Sequence, residues 1–207
     1  MQGDDLPVGI VLAGGLARRM GGGDKPLRLL GGRTLLDHTL ARLRPQVRGM
    51  ALNANGDPAR FAPYRLPVVA DTLADFPGPL AGVLAGMRWA QHAHPQAGYV
   101  VSVPGDTPFL PDDLAARLMA ARAAAGVPIA CAASGGRVHP VAALWRVELA
   151  DALEAALRAD QRRVMAFVLA QGMAEVAFAR DPDWGDPFFN VNTPEDLLRA
   201  EALFSVR

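Results

Sequence analysis

Short apolar runs bounded by polar or turn-forming residues recur along the chain at Val8–Leu12, Met50–Asn53, Pro67–Ala70, Tyr99–Val103 and Pro128–Ala132. Their length and continuity predict buried strands. Between most of them the period changes. Apolar positions fall on one helical face in Thr34–Leu43, Leu80–Ala93, Pro111–Ala125, Val147–Leu157 and Arg163–Ala170, which predicts helices. Near the end, Thr193 is placed to cap a helix, Pro194 to occupy its first position, and Glu195 and Asp196 to face its positive end, so a last helix is expected over 194–204. Strands alternating with helices imply an α/β fold with a mostly parallel sheet covered by helices on both faces.

In such sheets ligands bind beyond the carboxyl ends of the strands. The polar and glycine residues of this chain fall there in series. Gly14 and Gly15 follow the first run, Asn53 closes the second, Asp71 follows the third and Asp106 the fourth. Together they point to one crevice.

Composition narrows the classes. At 207 residues, 51% hydrophobic and 20% charged, the chain reads as a single globular domain over 1–207 that needs no staple. No apolar run approaches the length of a membrane span, and the first residues lack a signal-peptide pattern, so the cytosol is the expected location, with no membrane partner. Twenty-one basic residues balance twenty-one acidic ones, which argues against nucleic acid as a partner. The lone cysteine, Cys131, permits no internal disulfide and no cysteine-rich metal site. The basic residues are all arginine but one, Lys25; by composition it is either a stray surface lysine or a position where a compact ammonium does what a guanidinium does not.

Lys25 closes the most distinctive segment, Leu12-Ala13-Gly14-Gly15-Leu16-Ala17-Arg18-Arg19-Met20-Gly21-Gly22-Gly23-Asp24-Lys25. A strand running into a glycine-rich loop flanked by cations is built to cradle a polyphosphate, because glycine lets the backbone amides approach the anion. No GK[ST] or G-x-G-x-x-G pattern is present, which excludes a Walker loop and a dinucleotide fingerprint. Asp106 ends a buried strand in Val103-Pro104-Gly105-Asp106-Thr107-Pro108, where it is either a turn carboxylate or, opposite a phosphate loop, a Mg²⁺ ligand. The turn Pro77-Gly78-Pro79 enters a helix and reads equally as a plain helix-entry loop or as one whose first amides meet a base or phosphate. In Asn190-Val191-Asn192 the two carboxamides share a face, suited to an acceptor, to a metal, or simply to the turn before Thr193. His139, in Gly135-Gly136-Arg137-Val138-His139-Pro140, is read equally as a substrate contact or a strand-edge residue.

A cationic phosphate loop with a metal carboxylate at the fourth strand suggests nucleotidyl transfer. Here the chain resembles the molybdenum cofactor guanylyltransferases, the MobA family. The matching segments are the loop from Leu12 to Lys25, Asn53-Ala54-Asn55, Asp71 with Leu73-Ala74-Asp75, Pro77 to Gly82, Asp106-Thr107-Pro108, Gln161-Arg162-Arg163-Val164-Met165 and Asn190 to Leu197. The resemblance implies a Rossmann-like nucleotidyltransferase fold and transfer of GMP from GTP to the phosphate of Mo-molybdopterin. It implies that Leu12, Ala13 and Gly14, with Gly15 in the same loop, contact GTP. Lys25 would meet the phosphates, Asn53 and Asp71 the nucleoside, and Asp106 both Mg²⁺ and nucleotide. Asn190 and Asn192 would lie near the pterin phosphate or metal. Arg19 and Lys25 would offset charge on the departing pyrophosphate; other cofactor-biosynthesis proteins and apo-molybdoenzymes would be transient partners. The alternatives are a cytidylyl or sugar-phosphate nucleotidylyltransferase and, from another class, a non-catalytic carrier of nucleotide or cofactor.

Overall fold

The structure, a computed structural model, describes residues 6–14, 24–73 and 78–204. Its frame is a seven-stranded sheet assembled from β1 (Val8–Leu12), β4 (Met50–Asn53), β5 (Val68–Val69), β6 (Tyr99–Pro104), β7 (Ile129–Ser134), β8 (Arg137–Arg146) and β9 (Met173–Ala177). The spatial order is β5-β4-β1-β6-β8-β7-β9. A two-stranded ribbon of β2 (Leu29–Leu30) and β3 (Arg33–Thr34) stands apart. β5, β4, β1 and β6 run parallel, β7 and β9 are parallel to each other, and β8 pairs antiparallel with both β6 and β7. The mostly parallel sheet is thus interrupted by one reversed strand.

Side chains alternate across the sheet and feed two cores. Val11, Leu52, Val101 and Leu144 pack with Leu36 and Leu40 of α1 (Leu35–Leu43) and Leu114 and Leu118 of α3 (Leu114–Ala125). On the opposite face Ile10, Ala51, Cys131 and Trp145 meet α2 (Pro79–Ala93), α4 (Ala150–Arg158) and α5 (Val164–Gln171). A smaller cluster of Leu30, Leu35, Phe109, Trp184, Val191 and Ala200 seats α6 (Pro194–Phe204) against the ribbon side. Thr193 caps α6 as expected, its Oγ1 accepting the Asp196 amide at 3.1 Å.

α2 approaches the centre of the sheet closely because Gly82 and Gly86, one helical turn apart, carry no side chain where it crosses β4 and β1. A Cβ at Gly86 would stand 2.8 Å from Ile10 Cβ, and one at Gly82 would stand 2.2 Å from Asn53 Oδ1. The helix therefore begins directly over the carboxyl ends of β1 and β4.

Two strands of the main sheet lie outside the sequence reading, as does the β2–β3 ribbon. β8 starts from a polar segment and contains Pro140, features that disfavour an inner strand. It forms because Gly135 and Gly136, with φ of 55° and 75°, make a two-residue hairpin turn after β7. An irregularity between Cys131 and Ala132 then absorbs the proline, which lies past the residues that pair with β6. β9 is a short edge strand after Gly172, and its Met173-Ala174-Glu175-Val176-Ala177 pattern carries little alternation.

Candidate active site

The turn after β6 carries Asp106 into a buried position. It is held from three directions. Gly105 N donates to Leu12 O of β1 at 3.0 Å, Val191 N donates to Asp106 O at 3.1 Å, and the buried Thr39 Oγ1 of α1 shares its proton among nearby carbonyls that include Thr107 O at 3.2 Å. The Asp106 carboxylate meets Lys25 in an ion pair through Oδ2. Lys25 also donates to Asn192 Oδ1. An ammonium has three donors, so among the described residues one remains for a ligand.

Burial pushes the Asp106 carboxyl above the ordinary carboxylate range; the charge and hydrogen bond of Lys25 only partly offset this, and Asn190 lies close enough to help. Asn190 makes no hydrogen bond to it of ordinary geometry. Asp106 Oδ1 and Asn190 Oδ1 are both buried oxygens without a hydrogen-bond partner among the described residues. A buried oxygen gains free energy from a partner, and two of them lining one cavity suit a hard cation.

The second wall comes from β4 and β5. Asn53 Nδ2 donates to Asp71 Oδ1 at 2.9 Å, and Asn55 Nδ2 donates to Asp71 Oδ2 at 2.8 Å. Asn55 Oδ1 accepts the Asp71 amide in return at 2.9 Å. Arg60 pairs with Asp24, one residue before Lys25, at 3.0 Å and donates to the Asn55 carbonyl, tying the loop exit to this wall.

These walls enclose a cavity of about 410 Å³ lined by Leu12, Gly14, Asn53, Asn55, Asp71 and Asp106, with the start of α2 at Gly78 and Pro79 and with Asn190. A second cavity of about 400 Å³ adjoins it through the shared residues Pro104, Val141 and Asn190; Asn192, His139 and Phe188 line this second cavity and not the first. The crevice expected at the strand ends is thus formed, with Asn190 where its two chambers meet and Asp106 in the first of them.

Most of the residues singled out in the sequence converge here. The Ala13 side chain is an exception: it is fully buried in the core, which leaves only its backbone for a ligand. Gly15 and Arg19 lie outside the described residues, as do Ala74, Asp75, Phe76 and Pro77. Gln161–Met165 leads into α5 away from both cavities. Asn55 and Arg60 were missed as site-building residues. The Asn-x-Asn spacing at a strand end was the available signal for Asn55; nothing local marked Arg60.

The sequence matches the MobA-like NTP transferase domain over residues 9–176. The chain belongs to that family. It is 54% identical over 196 residues to the molybdenum cofactor guanylyltransferase of Bradyrhizobium sp. (strain ORS 278), covering 94% of this chain and 92% of the relative. To the molybdenum cofactor guanylyltransferase of Rhizobium meliloti (strain 1021) it is 50% identical over 201 residues, covering 95% and 91%. Among solved structures, molybdopterin-guanine dinucleotide biosynthesis protein A from Archaeoglobus fulgidus superposes with a TM-score of 0.76 at 25% identity, over 97% of this chain and all of that one. The fold extends further, to the 4-diphosphocytidyl-2C-methyl-D-erythritol synthase of Anaerococcus prevotii, with a TM-score of 0.70 at 15% identity over 98% and 97% of the two chains. The seven-stranded sheet with its reversed strand is therefore a MobA-like nucleotidyltransferase sheet, and the two chambers lie at the carboxyl end of its β6. Among the described residues no helix of this family member is long and apolar enough to cross a membrane.

Proposed function

We propose that residues 1–207 act as one nucleotidyltransferase domain that moves GMP from GTP onto the phosphate of Mo-molybdopterin, releasing pyrophosphate. The observation that carries this reading is the pair of adjoining chambers that share Asn190, with Lys25 joining Asp106 of the first to Asn192 of the second. Transfer between two phosphates needs donor and acceptor on opposite sides of one charge-neutralising centre.

In this reading GTP takes the chamber between β1, β4 and α2. The Leu12–Gly14 backbone faces its phosphates; Gly15 and Arg19, outside the described residues, are assigned to them from the sequence resemblance alone. Asn53 and Asp71 face its nucleoside, with Asp71 oriented by two carboxamides. The orphan oxygens of Asp106 and Asn190 fit Mg²⁺, which typically takes one or two protein oxygens and completes its shell with phosphates and water. Bound there, the ion would supply Lewis-acid neutralisation of phosphate charge. Lys25 holds Asp106 and Asn192 in register and presents its third donor to the phosphates, where Arg19 adds a second cation. The acceptor phosphate is already ionised near neutral pH, so no side chain has to remove its proton. The natural setting is the cytosol, with transient contact to other cofactor-biosynthesis proteins and apo-molybdoenzymes.

Calorimetry with GTP and CTP, with and without Mg²⁺, tests the donor. GTP is expected to bind at least tenfold more tightly than CTP, and Mg²⁺ to strengthen it. Equal binding, or a preference for CTP, would move the protein to a sister activity.

Lys25→Arg is expected to reduce kcat by about tenfold to a hundredfold with a small change in melting temperature. The planar guanidinium cannot occupy the space between Asp106 and Asn192 that the ammonium fills, and a displacement near one ångström is costly in such sites. Steady-state turnover at saturating substrates would measure it; a near-normal rate would refute the special role of the sole lysine.

A further inference from the structure

The far wall of the second chamber contains a short polar chain that the nucleotidyl reaction does not account for. Ser134, at the end of β7, is 4% exposed. Its Oγ donates to Asp186 Oδ1 at 2.7 Å and lies 2.8 Å from His139 Nε2 on β8. A carboxylate only accepts, so the one hydroxyl proton is committed to Asp186. The Ser134 oxygen must then accept from His139, which places the ring proton on Nε2. Asp186 is itself fixed, since its Oδ1 also accepts the Phe188 amide at 2.9 Å. The imidazole stacks on Phe188 with centroids 4.8 Å apart. Burial lowers the affinity of the ring for a second proton, and Arg137 acts in the same direction while Asp186 opposes it. The product is a neutral, oriented ring whose remaining nitrogen, Nδ1, is a hydrogen-bond acceptor with no partner among the described residues.

This acceptor belongs to a residue lining the chamber opposite the nucleotide. A pterin is a heterocycle rich in N–H groups, with a ring amide, an exocyclic amine and, when reduced, ring amines. Arg137, also lining the chamber and without an ion pair among the described residues, supplies positive charge for an acceptor that carries a phosphate. We propose that His139 is an acceptor-binding residue whose Nδ1 takes a hydrogen bond from an N–H of the pterin, with Ser134 and Asp186 fixing the tautomer. This inference rests on the reading of the second chamber as the molybdopterin side.

Paired variants of the full-length protein test it. Asparagine places a carboxamide oxygen near the position of Nδ1, whereas glutamine reaches toward Ser134 and leaves the Nδ1 position empty. His139→Gln is expected to raise KM for molybdopterin about tenfold, the cost of one ligand hydrogen bond, with KM for GTP and kcat close to wild type. His139→Asn is expected to stay within about threefold of wild type. A purely structural histidine would give equal losses in both variants, or losses on the GTP side, and either result overturns the proposal. Fluorescence titration with a simple free pterin separates this inference from the functional reading. If the wild type turns over no molybdopterin yet binds the pterin with the same ranking of variants, the assignment of His139 stands and the reaction is different. If the wild type binds no pterin, the assignment fails.

Discussion

Asp106→Asn is expected to cut turnover by about a thousandfold while leaving the protein as stable as the wild type, or more so. The two halves of this result have one cause. Burial raises the Asp106 carboxyl above its ordinary value, so ionisation costs the folded chain more than the unfolded one despite Lys25. The sign follows from linkage: an acid with a raised folded pKa detracts from stability as pH climbs from the ordinary carboxylate range through the raised value, and the penalty is fully present above it. A neutral carboxamide of the same shape removes that penalty. It also removes the charge that suits a cation, and the loss of one electrostatic partner at a transferring phosphate is worth about a hundredfold to a thousandfold or more. Thermal denaturation at neutral pH and single-turnover assays on the same preparation would check both. A variant that is inactive and markedly less stable would mean that Asp106 is a structural ion pair.

Gly86→Ala has the largest expected effect on stability. The added methyl would stand 2.8 Å from both Cβ and Cγ1 of Ile10 and 2.9 Å from Cγ2. These atoms branch directly from the central strand and are fully buried, so they cannot swing aside. α2 must retreat from β1. Overpacking of this kind costs about 3 kcal/mol at the upper end of its usual range, and the better helix propensity of alanine returns about 1 kcal/mol. The net, about 2 kcal/mol, corresponds to a fall in melting temperature of about 4–8 °C for a chain of this size. Because α2 begins at the nucleotide chamber, GTP affinity is expected to fall with it. An unchanged midpoint would show that the helix has slack the packing does not suggest.

How much of this the sequence disclosed depends on how local each determinant is. β1, β4 and α6 stand at their expected residues because each is fixed by its own composition: an unbroken apolar run in the strands, and a threonine, proline and acidic turn in the helix. Helix starts drifted where a single helical turn of another kind intervened, as at Val147–Leu149 before α4. β8 was hidden by Pro140, whose cost disappears only when the neighbouring strand ends short of it. The gathering of Asn53, Asp71 and Asp106 followed from strand ends alone. The alternation of Asn190, Val191 and Asn192 was also legible: Val191 is buried in the third core, and the carboxamides lie at Asp106 and Lys25. The Ser134–His139–Asp186 chain was not, because it joins a hairpin to a distant loop and no periodicity encodes that meeting. Arg60 escaped for the same reason.

The pairing of Lys25 with Asn192 spans 167 residues, and Val191 is fastened to the backbone of Asp106. During synthesis the sheet can gather while the ribosome still holds the end of the chain, but its junction residues are then incomplete. The segment that supplies Asn190 and Asn192 and anchors α6 follows every strand of the sheet in the chain. A chain stopped before residue 190 would therefore keep all seven strands and lose both the backbone bond to Asp106 and the Lys25–Asn192 contact.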